Sequence, residues 1–355
     1  MQQRALLLAV LVAACGGGGD DAPSTVSVAG DVLEFTNEVY GPRIMGATVS
    51  IVEHPEMTLT AGDDGHFQFD GLEPGTDVTL RVEHPDFKTT QTATVTLGPN
   101  GIDTFSVQIL TTALYDVLAT LVPEPPDLEN TCAIATTAGR FGSSLYVYMR
   151  QGMDGVEATL TPSVTADRGP IYFNEMVIPD PDEPATSIDG GVLYYRIPPG
   201  DYTMTATRGG QAAFNTVRFQ CRAGLIVNAG PPMGLRGNVP TPTYGEGRDL
   251  DDASTTASDA MCDATAACVN TRSGAGAYPA ATLASCKLMF RDVWANLDES
   301  CDDTHALRDA ARAVYTCRAS ADCDIVLGLD DVCVAEEAAF RAAELTYGTC
   351  IAAPR

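Results

Sequence analysis

Histidine is scarce in this chain and lysine is scarcer: there are four histidines in 355 residues, and the only lysines are Lys88 and Lys287. No H-E-x-x-H pair and no G-x-S-x-G elbow occurs, so the fixed spacings that set a zinc-bound base or a serine nucleophile are missing. Basic residues are outnumbered, 21 against 47 acidic, for a net charge of −26. Such a surface is repelled by phosphate backbones and anionic headgroups, which excludes nucleic acid as a partner and electrostatic adsorption as a route to membranes. A spanning helix needs roughly 20 apolar residues, and the apolar run near the amino terminus, Ala5 to Ala14, is too short for one.

That run does have the shape of an export signal. Arg4 precedes it, Val12-Ala13-Ala14 supply small residues, and Cys15 is followed by four glycines. The arrangement resembles the lipobox of bacterial lipoproteins. The resemblance implies cleavage before Cys15 and lipidation of its thiol, with each buried methylene of the acyl chains contributing about 0.8 kcal/mol of membrane affinity. Residues 1–14 are then the signal peptide. Residues 15–27, rich in glycine and small polar residues, form a flexible tether. The expected location is the bacterial cell envelope, lipid-anchored at the outer membrane and facing the periplasm or the exterior.

Ten cysteines remain beyond Cys15: Cys132, Cys221, Cys262, Cys268, Cys286, Cys301, Cys317, Cys323, Cys333 and Cys350. An even number in an exported chain predicts five disulfides. Zinc is the competing reading, but zinc sites use closer cysteine pairs with histidine nearby, and here the nearest cysteines have five residues between them.

From Val28 to about Leu110 the chain alternates apolar and polar residues in short runs, as in Thr48-Val49-Ser50-Ile51 and Leu80-Arg81-Val82, broken by Asp63-Asp64-Gly65 and Pro74-Gly75. This is the pattern of half-buried antiparallel strands joined by tight turns. Gly46-Ala47-Thr48-Val49, Asp64-Gly65-His66-Phe67-Gln68-Phe69 and Leu72-Glu73-Pro74-Gly75-Thr76 together resemble the carboxypeptidase regulatory-like domain, a transthyretin-like β-sandwich. The resemblance spans residues 28–110 and implies turns and core positions, with no catalytic residue. The pattern returns over residues 132–232: Gly190 and Gly200 are ten positions apart, as are Gly65 and Gly75, and Gly155-Val156 stands where Gly46-Ala47 stood. A second sandwich of the same kind is expected, opened by Cys132 and closed by Cys221 in its last strand, so the two are expected to pair. It contains no lysine, which excludes a lysine–asparagine isopeptide bond there.

Between the sandwiches, residues 111–131 hold one short amphipathic helix (Leu114, Tyr115, Val117, Leu118, Leu121, Val122) that Pro123 ends, expected to pack on its flanking sandwich. Residues 233–256 read as a linker and 257–355 as a cysteine-rich helical domain, with Cys286, Met289, Phe290, Val293, Trp294 and Leu297 on one helical face. Its eight cysteines divide into two tetrads, each opening with C-x5-C, as expected for a duplicated, disulfide-stapled helical hairpin with open pairing. The fold class is mainly β: two transthyretin-like antiparallel sandwiches followed by a small disulfide-rich α-domain.

Three chemistries are open to these residues. Glu53-His54-Pro55 and Glu83-His84-Pro85 repeat a tripeptide at two strand ends, and with His66 they offer weak metal-ligand candidates His54, His66 and His84; a metal-dependent enzyme would rest on these. Asp63-Asp64, Asp249 to Asp252 and the Asp298, Glu299, Asp302, Asp303 group lack the periodicity of a calcium loop. Tyr146, Tyr148, Tyr172, Phe173, Tyr194 and Tyr195 are the aromatics that a carbohydrate-binding accessory module would stack on sugars, although strand aromatics commonly fill cores. The leading expectation is a non-enzymatic, membrane-anchored extracytoplasmic lipoprotein with a structural, adhesive or binding role, no cofactor, and an envelope protein or glycan as partner.

Overall fold

The computed structural model describes residues 25–36, 41–140, 142–147, 152–212, 214–231, 233–237, 252–295, 297, 301, 303–328 and 332–352. The signal peptide, Cys15, Tyr148, Asp298, Glu299 and Asp302 lie outside the described residues.

In the first sandwich, alternation sends Val49 and Ile51 of strand Thr48–Ile51 and Leu80 and Val82 of strand Leu80–Glu83 into the core, all fully buried. One sheet carries His54–Thr60, Thr48–Ile51, Leu80–Glu83 and Thr90–Gln91 in that order; the other carries His66–Leu72, Val26–Glu34 and Val107–Ile109. Phe67, Phe69 and Phe105 join Val28 and Val32 between them, each such side chain contributing about 1.5–3 kcal/mol on burial. The first strand begins at Val26, so the last two residues assigned to the tether belong to the fold.

The second sandwich repeats these pairings. Val26–Glu34 runs antiparallel to His66–Leu72 and parallel to Val107–Ile109, just as Cys132–Gly139 runs antiparallel to Gly191–Ile197 and parallel to Ile226–Ala229. Gly46 and Gly155 both have φ near 70° (73° and 71°), and the turn glycines Gly65 and Gly190 follow suit at 72° and 78°, a region that side chains avoid. The match ends at the next turn, where Gly75 has φ 86° while Gly200 opens the strand Gly200–Arg208 without a positive φ. Neither sandwich is purely antiparallel, because the closing strand of each returns beside the first in parallel. The second also extends past Pro232 to the strand Leu235–Arg236.

The two sandwiches are not beads on a string. Ile226–Ala229 pairs in parallel with Thr90–Gln91, with Ile226 opposite Thr90 and Val227 opposite Gln91. One sheet of ten strands therefore runs through both, from Pro179–Asp180 to His54–Thr60.

The connecting helix is Thr112–Leu118, capped by Thr111, whose Oγ1 accepts from Leu114 N at 3.1 Å. It stops a turn short of the predicted end, and Val117 and Leu121 are exposed. The carboxy-terminal unit consists of helices Asp252–Ser273, Ala280–Ala295, Asp303–Ala319, Cys323–Val326 and Val334–Ala352, the first starting five residues before the expected boundary. Cys286, Met289, Phe290 and Trp294 lie at its centre, with Tyr315 edge-on to Phe290 and Trp294 at 5.2 and 5.8 Å. Its core is not self-contained, since Leu33 of the first sandwich and Leu145, Tyr146 and Val147 of the second are part of it.

Cys132 bonds Cys221 across 89 residues. In the helical unit the bonds are Cys262–Cys286, Cys268–Cys323, Cys301–Cys350 and Cys317–Cys333. Two of them cross between the tetrads, which corrects the expectation of two separately stapled hairpins: the spacing repeat does not mark a folding unit.

Candidate functional site

The three histidines proposed for metal are dispersed among different partners. His54 Nδ1 lies 3.4 Å from Glu56, and His84 Nδ1 accepts from Asp86 N at 3.3 Å with its ring edge-on to Phe87. His66 is bound to Asp31 at 2.9 Å. The twin tripeptides differ in surroundings as well: Glu53 accepts from Thr79 N and Oγ1 (2.8 and 2.6 Å) and from Gln220 Nε2 (2.6 Å), whereas Glu83 accepts from Arg81 at 2.8 Å. Among the described residues no three His, Cys, Asp or Glu side chains gather as a metal-binding group. Identical tripeptides at strand ends therefore carry no common site. Asp64 instead shapes the hairpin turn, its Oδ1 accepting from His66 N at 3.1 Å, and Asp303 lies in the first turn of its helix, where a carboxylate is favoured.

The aromatics singled out for sugar stacking are interior residues. Tyr146, Tyr172, Phe173, Tyr194 and Tyr195 are all buried; Tyr172 OH accepts from Ala158 N at 3.1 Å and Tyr194 OH donates to Ala158 O at 2.9 Å. They offer no exposed stacking face.

What the sequence does not announce is how the three units are locked together. At the first junction Asp31, its side chain wholly buried, holds Arg43 Nη2 at 2.6 Å and His66 Nδ1 at 2.9 Å and accepts a short bond from Tyr146 OH. Ser106 Oγ joins Tyr146 OH at 2.6 Å and accepts from Asp31 N at 3.1 Å, while Arg43 also donates to Ser285 Oγ at 2.8 Å. Both sandwiches and the helical unit thus meet at one carboxylate. Burial alone would raise the Asp31 pKa, but the His66 bond, the Arg43 charge and the Tyr146 and Ser285 bonds outweigh it and hold the carboxyl below its ordinary range. Reciprocally, the bond to Asp31 outweighs burial and raises His66.

At the second junction Arg140 spans Glu337 (2.8 Å) and Glu344 (3.4 Å) and lies 4.7 Å from the Phe340 ring centre, with Arg318 on the other side of Glu337 at 2.9 Å. Burial pushes Glu337 up, yet the paired guanidiniums bring it below its usual value. At the third, Arg218 forks onto Asp77 at 2.8 and 2.7 Å, and Gln91 Nε2 of the shared sheet donates at 2.7 Å to Gln220 O in the other sheet of the second sandwich.

Beside this framework lies an apolar cavity of about 130 Å³. The shared sheet forms its floor through Ala133, Leu193 and Ile226, and Tyr115, Leu118 and Val122 of the connecting segment cover it. Its one carboxylate is Asp189, whose Oδ2 accepts from Gly191 N at 3.1 Å. Burial raises this group to about 6, with the Gly191 bond only partly offsetting it. A Cβ on Gly191 would stand 2.6 Å from both Asp189 Oδ2 and Phe173 Cγ, so only glycine lets carboxylate and ring close on this spot. Sequence reasoning passed over Asp189 because Asp-Gly-Gly reads as an ordinary turn.

No curated protein matches the chain. Among solved structures, the Bacillus anthracis TIE protein is 13% identical over 60% of this chain and 34% of its own, with a TM-score of 0.21; the chain thus spans about a third of that protein's length. The minor pilin of Streptococcus agalactiae is 12% identical over 61% of this chain and 98% of its own, with a TM-score of 0.19. The major pilin subunit of Bacillus cereus is 13% identical over 60% and 59%, with a TM-score of 0.17. Likeness of this degree carries no functional argument. Residues 27–110 match the family model of the carboxypeptidase regulatory-like domain.

Proposed function

We propose that this chain is a non-enzymatic lipoprotein of the bacterial cell envelope, anchored through an acylated Cys15, whose two sandwiches and helical unit form a rigid body with a structural, adhesive or binding role. The observation that carries this reading is the state of the thiols. All ten cysteines among the described residues are bonded, in five intramolecular bridges, as suits a protein that matures in an oxidising compartment, and the odd one out is the cysteine that ends the apolar leader. Rigidity follows from the junctions: a carboxylate shared by all three units and a guanidinium between the buried Glu344 and the partly buried Glu337 are costly to separate. The acidic surface favours neutral glycans, basic proteins or divalent ions over anionic partners.

Labelled palmitate fed to an expressing bacterium should appear on the wild-type chain, which should sediment with membranes. In Cys15→Ser the label should be lost and the protein should move to the soluble fraction. Label retained by Cys15→Ser, or a wild-type chain that never acquires it, would remove the anchor from this reading.

A further inference from the structure

The cavity under the connecting segment holds polar groups that the fold leaves unused. Tyr195 is 1% exposed, lines the cavity, and its hydroxyl has no hydrogen-bond partner among the described residues. Asp189 has the Gly191 amide as its hydrogen-bond donor and no ion-pair partner among them, and no Lys, Arg or His side chain lines the cavity. A partly buried carboxylate without a cation, and a buried hydroxyl without a partner, each cost free energy that a well-packed apolar site would not. Neither serves the junctions described above.

Size and charge narrow what would satisfy them. An apolar cavity of roughly 150 Å³ accepts benzene, and this one measures about 130 Å³, enough for a single ring or a short branched chain. Phe35, Leu118, Phe173 and Leu193 supply walls for such a body. The vacant charge is negative, and the chain as a whole, at −26, draws cations and repels anions.

We propose that this cavity is a binding site for a small amphiphilic amine, whose apolar body lies between the connecting segment and the shared sheet while its ammonium group pairs with Asp189. The Asp189 carboxyl, raised to about 6, is still ionised at neutral pH and so able to pair. Gly191 is part of the site, since any side chain there would displace the carboxylate or the Phe173 ring.

Calorimetric titration of the purified full chain at pH 7.5 with benzylamine, benzyl alcohol and phenylacetate tests the assignment. Benzylamine should bind at least about tenfold more tightly than benzyl alcohol, and phenylacetate should not bind. In Asp189→Asn the benzylamine advantage should disappear while benzyl alcohol binds as before, which also shows that the variant keeps its cavity. Equal binding of benzylamine and phenylacetate, undiminished benzylamine binding in Asp189→Asn, or no heat from any of the three would overturn the proposal. None of these outcomes bears on whether Cys15 is acylated.

Discussion

Asp31→Asn should lower the stability of the protein by about 3–5 kcal/mol, the cost of leaving one partner of a buried ion pair without its counter-charge. The stranded group is Arg43, whose side chain is only 7% exposed and donates to Asp31 at 2.6 Å. The same substitution leaves one acceptor oxygen where Arg43, Tyr146 and His66 now share two, and removes the negative charge facing His66, so the damage reaches all three units. Urea denaturation measures the loss; a midpoint shift equivalent to less than about 1 kcal/mol would mean that water or Asp64, already 3.8 Å from Arg43 Nη1, takes over the role. The pH dependence should change as well. His66 is raised above its ordinary 6.5, so its contribution is complete below that value and fades as pH climbs through the elevated one. Asp31 is held below 3.8, so its contribution is complete above that value and fades as pH falls through the depressed one. The wild-type junction is therefore strongest between these limits. In Asp31→Asn the His66 pKa, followed by NMR, should drop and both dependences should flatten.

Removing the Cys132–Cys221 bridge should cost roughly 4–5 kcal/mol in the chain-entropy account, because it closes a loop of 89 residues in sequence separation. Both cysteines are fully buried, so the double variant Cys132→Ala/Cys221→Ala is the cleaner test, leaving no lone thiol to mispair. The bridge fastens the first strand of one sheet to a strand of the other, Cys132–Gly139 to Val217–Cys221. Its loss should therefore speed amide exchange in Ile226–Ala229 and Thr90–Gln91 more than in the helical unit. Uniform acceleration everywhere would show that the bridge acts on the unfolded chain alone.

Much of the first sandwich was legible from alternation, because its strands have one face on a core: Thr48–Ile51 and Leu80–Glu83 bury alternate residues as read. The duplication was legible through Gly46 and Gly155, where backbone conformation dictates residue type. The joining of the two sandwiches was not. Thr90 and Gln91 are polar yet 1% exposed, buried by a strand some 135 positions away, and no local period encodes that. Asp31 is similar, an acidic residue inside Val28-Ala29-Gly30-Asp31-Val32 whose burial depends on Arg43, Tyr146 and Ser285. The aromatics of the second sandwich had the right spacing for a strand but no mark of which face would be covered. The cavity carboxylate was hidden for the opposite reason, since its sequence context looked too ordinary.

Parallel pairing of Ile226–Ala229 with Thr90–Gln91 has a practical corollary for anyone dividing the molecule. A cut placed between residues 110 and 132, where the chain itself invites one, would bare a raw margin of unsatisfied amides and carbonyls on each half. Each half would then recruit a second copy of itself or any extended peptide able to lie alongside, and stickiness seen in such pieces would belong to the wound rather than to the intact protein.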